Sequence, residues 1–162
     1  MIRFAVLGYG FMGVTHAGQI KRHPQAELVA VVESNPDKIK QSTQGNLGDA
    51  PEKNLLQGVA VYPTLGELLR RENIDCVSLC LPTHLHRALA VEALEAGRSV
   101  ICEKPMALTL EDCDEMIAAA QHNRATLIIA QCLRFWPEYE KLKQYIDSKE
   151  LGALQSLLLR RV

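Results

Sequence analysis

The chain has 162 residues, a formal net charge of −1 at pH 7, 48% hydrophobic residues and 23% charged residues. This composition is typical of a globular protein with one well-buried domain, and the small net charge offers no electrostatic case for a nucleic acid or an anionic membrane surface as partner. No apolar run reaches the ~18 residues of a membrane-spanning helix, and the N-terminus shows no signal-peptide pattern.

The first predicted element is an uncharged strand, Phe4 to Leu7, of the kind buried in a parallel sheet. It leads directly into Gly8-x-Gly10-x-x-Gly13. This spacing is typical of a dinucleotide-binding turn, in which the glycines permit a tight turn, a close approach of pyrophosphate and close helix packing. Because glycine is common, the pattern alone also fits a strand, turn and helix that bind nothing.

A second apolar strand, Leu28 to Val32, ends in Glu33, about 20 residues beyond the last glycine. A carboxylate at this position can accept hydrogen bonds from both hydroxyls of an adenosine ribose, which supports a bound ligand. It would also repel a 2′-phosphate, and Ser34 and Asn35 bring no arginine beside it, so NAD is favoured over NADP. The nearby Lys38 and Lys40 leave NADP open.

Strand and helix patterns alternate further along the chain, as in βαβ units. Further strands are expected at 59–62, 76–81, 99–102 and 127–130, and Thr64 and Thr109 are expected to cap helices. Residues 1–130 are therefore predicted to form an α/β, doubly wound parallel-sheet Rossmann domain. A polar stretch, 42–58, is predicted to be a loop. A helix at 138–149 and an unpaired strand at 154–162 would follow.

Five cysteines make an odd set, and three of them lie in or at the ends of predicted strands: Cys76, Cys80 and Cys102. Cysteine in such positions behaves as a small core hydrophobe. The spacing is not that of a usual zinc site, so no metal is expected. Reduced thiols point to a cytoplasmic protein.

Four motifs occur in one order along the chain: Gly8-x-Gly10-x-x-Gly13, Pro82-x-x-x-His86, Glu103-Lys104-Pro105 and Arg134-Phe-x-Pro137. Together they resemble the glucose–fructose oxidoreductase, inositol dehydrogenase and rhizopine-catabolism (Gfo/Idh/MocA) family of NAD(P)-dependent dehydrogenases. The resemblance implies hydride transfer between a nicotinamide cofactor and a sugar, cyclitol or related hydroxy compound. It also implies that 131–162 are a connecting helix and the truncated start of a second, α+β substrate and oligomerisation domain.

The resemblance assigns cofactor binding to residues at the carboxyl ends of the strands. These are Gly8, Tyr9, Gly10, Phe11, Met12 and Gly13 at the pyrophosphate, Glu33 and Ser34 at the adenosine ribose, and Leu81, Pro82, Thr83, His86, Glu103 and Lys104 at the nicotinamide half.

Lys104 is the expected catalytic residue, because an ammonium can stabilise a developing alkoxide and relay a hydroxyl proton. By position alone it would be an ordinary surface lysine. A cis Lys104–Pro105 peptide, which would aim the lysine at the cleft, is a hypothesis. His86 is expected on the cofactor side, with helix capping as the alternative, whereas His16 and His84 are expected to be polar fill rather than catalysts.

In the family, an aspartate and a histidine of the second domain complete the catalytic set, and this sequence has no counterpart. The chain alone is therefore expected to be inactive. Two alternatives stay open: a non-catalytic NAD(H)-binding sensor or regulatory module, and a small dehydrogenase completed by oligomerisation. The predicted terminal strand would leave an open edge for a homo-oligomer.

Overall fold

The chain forms a parallel sheet covered by helices in the computed structural model, which describes residues 1–40 and 55–160. The described residues form six strands: β1 (Ile2–Leu7), β2 (Ala26–Val32), β3 (Ala60–Tyr62), β4 (Cys76–Leu79), β5 (Ser99–Cys102) and β6 (Leu127–Ile129). The same residues form six α-helices: α1 (Phe11–Arg22), α2 (Pro36–Lys40), α3 (Leu65–Arg71), α4 (His86–Glu95), α5 (Leu110–His122) and α6 (Pro137–Ser148).

The strands are ordered β3-β2-β1-β4-β5-β6, and every neighbouring pair is parallel. From β1 the chain moves outward through β2 to β3, then returns to place β4 on the other side of β1. The order therefore reverses between β1 and β4, where the carboxyl ends of a parallel sheet form a crevice. The predicted doubly wound Rossmann fold is confirmed.

Two hydrophobic clusters lie on opposite faces of this sheet. Alternate residues of β1 separate them: Val6 packs with Val14 and Ala17 of α1, whereas Ala5 and Leu7 belong to the cluster that includes α3, α4 and α5. Because side chains alternate along a strand, both faces of the central strands are buried, which explains their continuous apolar sequences.

Both predicted threonine caps are present. The Thr64 hydroxyl accepts a hydrogen bond from the Glu67 amide at 3.3 Å, and the Thr109 hydroxyl accepts one from the Asp112 amide at 3.1 Å. Each hydroxyl satisfies one of the backbone N–H groups left free at the start of a helix.

The predicted strand at 154–162 is wrong over its described part, because residues 154–160 have no regular secondary structure. A strand depends on a hydrogen-bonded neighbour, and among residues 1–40 and 55–160 none pairs with this segment. The predicted strand 76–81 is also too long: β4 ends at Leu79, the last residue paired with β1 and β5.

By contact density the chain divides into two compact units, one from Met1 to Ala130 and one that begins at Gln131. Most of the polar stretch predicted as a loop at 42–58, and the end of the predicted terminal strand, lie outside the described residues. Across residues 1–40 and 55–160, no helix has the length and apolar character needed to cross a membrane.

Candidate cofactor site

The turn between β1 and α1 depends on two glycines that cannot be replaced without conflict. Gly8 has a φ of +87°, and a Cβ there would lie 2.6 Å from the Cys80 carbonyl oxygen. A Cβ on Gly13 would overlap the carbonyl oxygen of Gly8. The backbone of the β1–α1 loop therefore contacts the backbone of the first turn of α1, with no room for a side chain between them.

Gly10 is different, because a Cβ at this position would meet nothing within 4 Å. Gly10 is also the N-cap of α1, which has no side-chain cap and no acidic residue in its first turn. The free N–H groups and the positive end of the helix dipole thus remain available to an anion. Phe11 and Met12 begin this helix, and both are half-buried.

Glu33 lies just beyond β2 and is 7% exposed. One carboxylate oxygen accepts the Tyr9 amide at 3.0 Å, and the other accepts the Asn35 amide at 2.9 Å. The Lys38 ammonium lies 3.8 Å from the second oxygen. Each oxygen retains acceptor capacity, because an ionised carboxylate offers about four lone-pair sites. The geometry therefore positions Glu33 next to the glycine turn while leaving it able to accept ribose hydroxyls.

A cavity of about 800 Å³ opens between these elements at the carboxyl ends of the strands. Six of the predicted cofactor residues line it: Gly8, Gly10, Glu33, Ser34, Leu81 and Pro82. Lys38 and Cys80 line it as well. A glycine turn, an open helix N-terminus and a buried carboxylate around one cavity fit a dinucleotide.

His86 does not line this cavity. Its side chain is 1% exposed, with Nε2 2.8 Å from the Leu81 carbonyl oxygen and Nδ1 3.0 Å from the Pro105 carbonyl oxygen. Both ring nitrogens thus face backbone carbonyl oxygens, and a neutral ring donates to one of them. The ring joins the segment after β4 to the segment after β5, and Thr83 lies in the short 3-10 turn before it.

Glu103 and Lys104 follow β5, and the Lys104–Pro105 peptide is cis, as hypothesised from the sequence. Glu103 is 8% exposed, whereas Lys104 is exposed. Among the described residues, no hydrogen bond or ion pair reaches the Lys104 ammonium. Within the described part of the chain, Lys104 is therefore an unpaired cation that follows the carboxyl end of β5.

His16 is expected from the sequence to be polar fill, yet its ring lies between Ser78 of β4 and Glu103, which follows β5. Nδ1 lies 2.7 Å from Ser78 Oγ in β4, and Nε2 lies 3.2 Å from Glu103 Oε1. These partners are 62 and 87 residues away in sequence. The position of His16, three residues after Gly13 on α1, could have signalled this contact, since one helical turn keeps it on the same face.

The cysteines in the sheet are free thiols. Burial raises the pKa of Cys76, Cys80 and Cys102 from 9.0 to about 12 each. They are therefore neutral thiols near pH 7 and behave as core residues. Within the described part of the chain, no group of three histidine, cysteine, aspartate or glutamate residues could hold a metal ion.

The fold and this cavity define a dinucleotide-binding α/β domain. Residues 2–131 match the family of oxidoreductases with an NAD-binding Rossmann fold, so the chain belongs to the Gfo/Idh/MocA family. Both the family resemblance and NAD as the cofactor are thereby confirmed.

Relatives with assigned functions include a myo-inositol 2-dehydrogenase of Thermotoga maritima, 28% identical over 93% of this chain and 42% of the relative. Among solved structures, the WlbA dehydrogenase of Bordetella pertussis in complex with NADH and UDP-GlcNAcA is 29% identical with a TM-score of 0.81, covering 93% of this chain and 41% of its own. The scyllo-inositol dehydrogenase of Lactobacillus casei with NAD(H) and scyllo-inositol is 26% identical with a TM-score of 0.79, covering 94% and 42%. The chain spans about two fifths of the length of the curated relatives it matches.

Proposed function

We propose that this chain is the cofactor-binding part of a dehydrogenase that transfers hydride between NAD(H) and a sugar, cyclitol or related hydroxy compound. The cavity at the β1/β4 switch point carries the proposal, since it combines the open Gly10 turn with the buried Glu33 carboxylate. Relatives of similar fold that bind scyllo-inositol or a UDP-sugar support the substrate class.

Each part of the cofactor has its own binding residues in this proposal. The amides of the first turn of α1 bind the pyrophosphate, Glu33 accepts the adenosine ribose hydroxyls, and Leu81 and Pro82 border the nicotinamide half. When bound, the nicotinamide supplies the acceptor or donor of the hydride.

Lys104 is the proposed catalytic residue of this chain. Its ammonium has no partner among the described residues and follows a strand end next to the switch point. From there it can stabilise negative charge that develops on the substrate oxygen and hold the hydroxyl proton. The second acid–base group of the family has no counterpart in residues 1–162, so we expect these residues alone to bind cofactor without efficient turnover.

Calorimetric titration of NADH and NADPH into the chain tests this function. We expect NADH to bind, and NADPH to bind more weakly because its 2′-phosphate meets the Glu33 carboxylate. Glu33→Gln should weaken NADH binding by about 1–3 kcal/mol, the scale of hydrogen bonds to a charged group, and narrow the difference between the cofactors.

Glu27→Gln is the matched control, because Glu27 lies at the opposite end of β2 and pairs with Arg3 at 3.1 Å. It should leave both affinities unchanged. A folded chain that binds neither cofactor would contradict the proposal. Turnover assays with a panel of polyols and aldoses, in the presence of a dehydrogenase second domain, test the alternative of a non-catalytic NAD(H) sensor. A sensor would bind cofactor but show no activity in these assays, whereas part of a dehydrogenase would gain activity.

A further inference from the structure

His16 connects the helix of the glycine turn to the segment that carries Lys104. Its ring lies between Ser78 Oγ at 2.7 Å and Glu103 Oε1 at 3.2 Å. Ser78 is 1% exposed and Glu103 is 8% exposed, while the His16 side chain is 20% exposed, so this contact is partly shielded from water. Hydrogen bonds are electrostatically stronger in such surroundings, and a buried polar group left without a partner is costly.

The donors and acceptors of this group match in only one arrangement of a neutral ring. An ionised carboxylate only accepts, so Nε2 carries the hydrogen and donates to Glu103. Nδ1 is then the acceptor for the Ser78 hydroxyl. The Cys80 thiol lies 3.8 Å from Ser78 Oγ and can donate to it in turn. Glu103 thus fixes the tautomer, and the Ser78 hydroxyl, which can rotate to donate to Nδ1, holds the other side of the ring.

Glu103 passes this constraint to the next residue. Its second carboxylate oxygen, Oε2, accepts the backbone N–H of Lys104 at 3.2 Å. The contacts therefore run without interruption from Ser78 through His16 and Glu103 to the Lys104 backbone. Among residues 1–40 and 55–160, no hydrogen bond or ion pair orients the Lys104 side chain, so its direction depends on how its backbone is held.

We propose that His16 is a positioning residue for Lys104, acting through the Glu103 carboxylate, with Ser78 anchoring the other side of its ring. The proposal rests on the proposed function, because it concerns the lysine that would reach the nicotinamide ribose and the substrate. If His16 only packed as a polar side chain, its replacement would change stability alone. If it positions Lys104, its replacement also changes the hydrogen bond of the Lys104 amide and the affinity for the cofactor.

The test compares His16→Ala, His16→Gln and Ser78→Ala with the starting chain. A glutamine amide can donate a hydrogen bond near the Nε2 position, so His16→Gln is the conservative rescue. His122→Ala is the matched control, since His122 is an exposed histidine in the last turn of α5. Two quantities are measured for each variant: the NMR shift of the Lys104 amide proton, which reports its hydrogen bond, and the affinity for NADH.

In His16→Ala we expect the Lys104 amide proton to move upfield and NADH to bind about tenfold more weakly, the effect of losing one hydrogen bond to a charged group. His16→Gln should restore most of both, and Ser78→Ala should shift the amide in the same direction by less. If His16→Ala does not fold, the Lys104 amide shift and the NADH affinity of Ser78→Ala are compared with those of His16→Gln instead.

The proposal would be overturned if the Lys104 amide proton had the same chemical shift in folded His16→Ala and Ser78→Ala as in the starting chain. It would also be overturned if His16→Gln restored stability but not the amide shift. The amide shift does not require cofactor. A starting chain that fails to bind NADH would therefore refute the proposed function while the NMR comparison still decides whether His16 positions Lys104.

Discussion

Gly10 and Gly13 are three residues apart, yet a methyl group on each would meet opposite surroundings. At Gly13 it would overlap the Gly8 carbonyl oxygen, while at Gly10 it would meet nothing within 4 Å. The backbone of Gly10, with φ −82° and ψ −165°, is open to any residue. Gly13 is therefore required by the fold, whereas Gly10 is required only where a ligand approaches the turn closely.

We predict that Gly13→Ala and Gly10→Ala separate stability from binding. Gly13→Ala should lower the free energy of unfolding by at least about 1 kcal/mol and typically by about 1–3 kcal/mol, because the helix must move away from the turn. Gly10→Ala should unfold like the starting chain but bind NADH at least about tenfold more weakly, because its methyl group occupies the path of the pyrophosphate. Chemical denaturation and calorimetry measure the two effects. Equal loss of stability in both variants would contradict the interpretation.

The buried thiols predict a loss of stability at alkaline pH. Their pKa values rise from 9.0 in the exposed state to about 12 in the folded chain, owing first to burial. The unfolded chain therefore releases these protons at lower pH than the folded one. The contribution to stability is complete below pH 9 and is lost as pH rises toward 12.

Denaturant unfolding between about pH 8 and about pH 10.5 measures this effect. Cys80→Ala should lose less stability across that range than the starting chain, since one of the three thiols no longer titrates. Cys132→Ala should behave like the starting chain, because Cys132 is exposed. The idea fails if Cys80→Ala and the starting chain have the same pH dependence.

At the scale of single elements, α5 begins where Thr109 caps it. The Thr109 hydroxyl accepts the Asp112 amide at 3.1 Å, and Glu111 and Asp112 add negative charge to the first turn. Thr109→Ala should therefore lower the free energy of unfolding by about 1 kcal/mol. Thr109→Ser retains the oxygen and should restore most of it. A thermal or denaturant melt of the three chains decides the question, and identical melts would exclude a capping role.

Elements with strong local patterns were predicted closely. The strand 99–102 and the two threonine caps lie where the sequence indicates them. Boundaries that depend on a neighbour were predicted less well. Strand β4 stops at Leu79 where its pairing with β1 and β5 ends, which apolar sequence alone does not reveal.

At the scale of the whole molecule, the segment after α6 exposes a run of leucines. Leu154, Leu157, Leu158 and Leu159 are 54%, 49%, 91% and 60% exposed. No strand forms there, so the expected strand edge for a homo-oligomer is absent from residues 154–160. An apolar run of this kind still favours association, because contact between chains removes it from water.

We predict that the chain associates through this run as its concentration rises. Leu158→Lys should weaken the association, since a charged side chain resists burial. Leu108→Lys is the matched control, because Leu108 is 66% exposed in the first compact unit. Sedimentation velocity over a range of concentrations measures the effect. A monomer at every concentration, or equal effects of both substitutions, would contradict it.

The sequence by itself determined the succession of strands and helices along the chain, the glycine turn and the position of Glu33, which depend on neighbouring residues, and its motifs indicated the family. Only the tertiary structure decided which distant residues meet. It placed His16 against Glu103, enclosed His86 between the Leu81 and Pro105 carbonyls, and left residues 154–160 without a strand. Local patterns record propensity and periodicity, whereas such contacts follow from how the strands are ordered and the helices packed, and these are set by the whole chain at once.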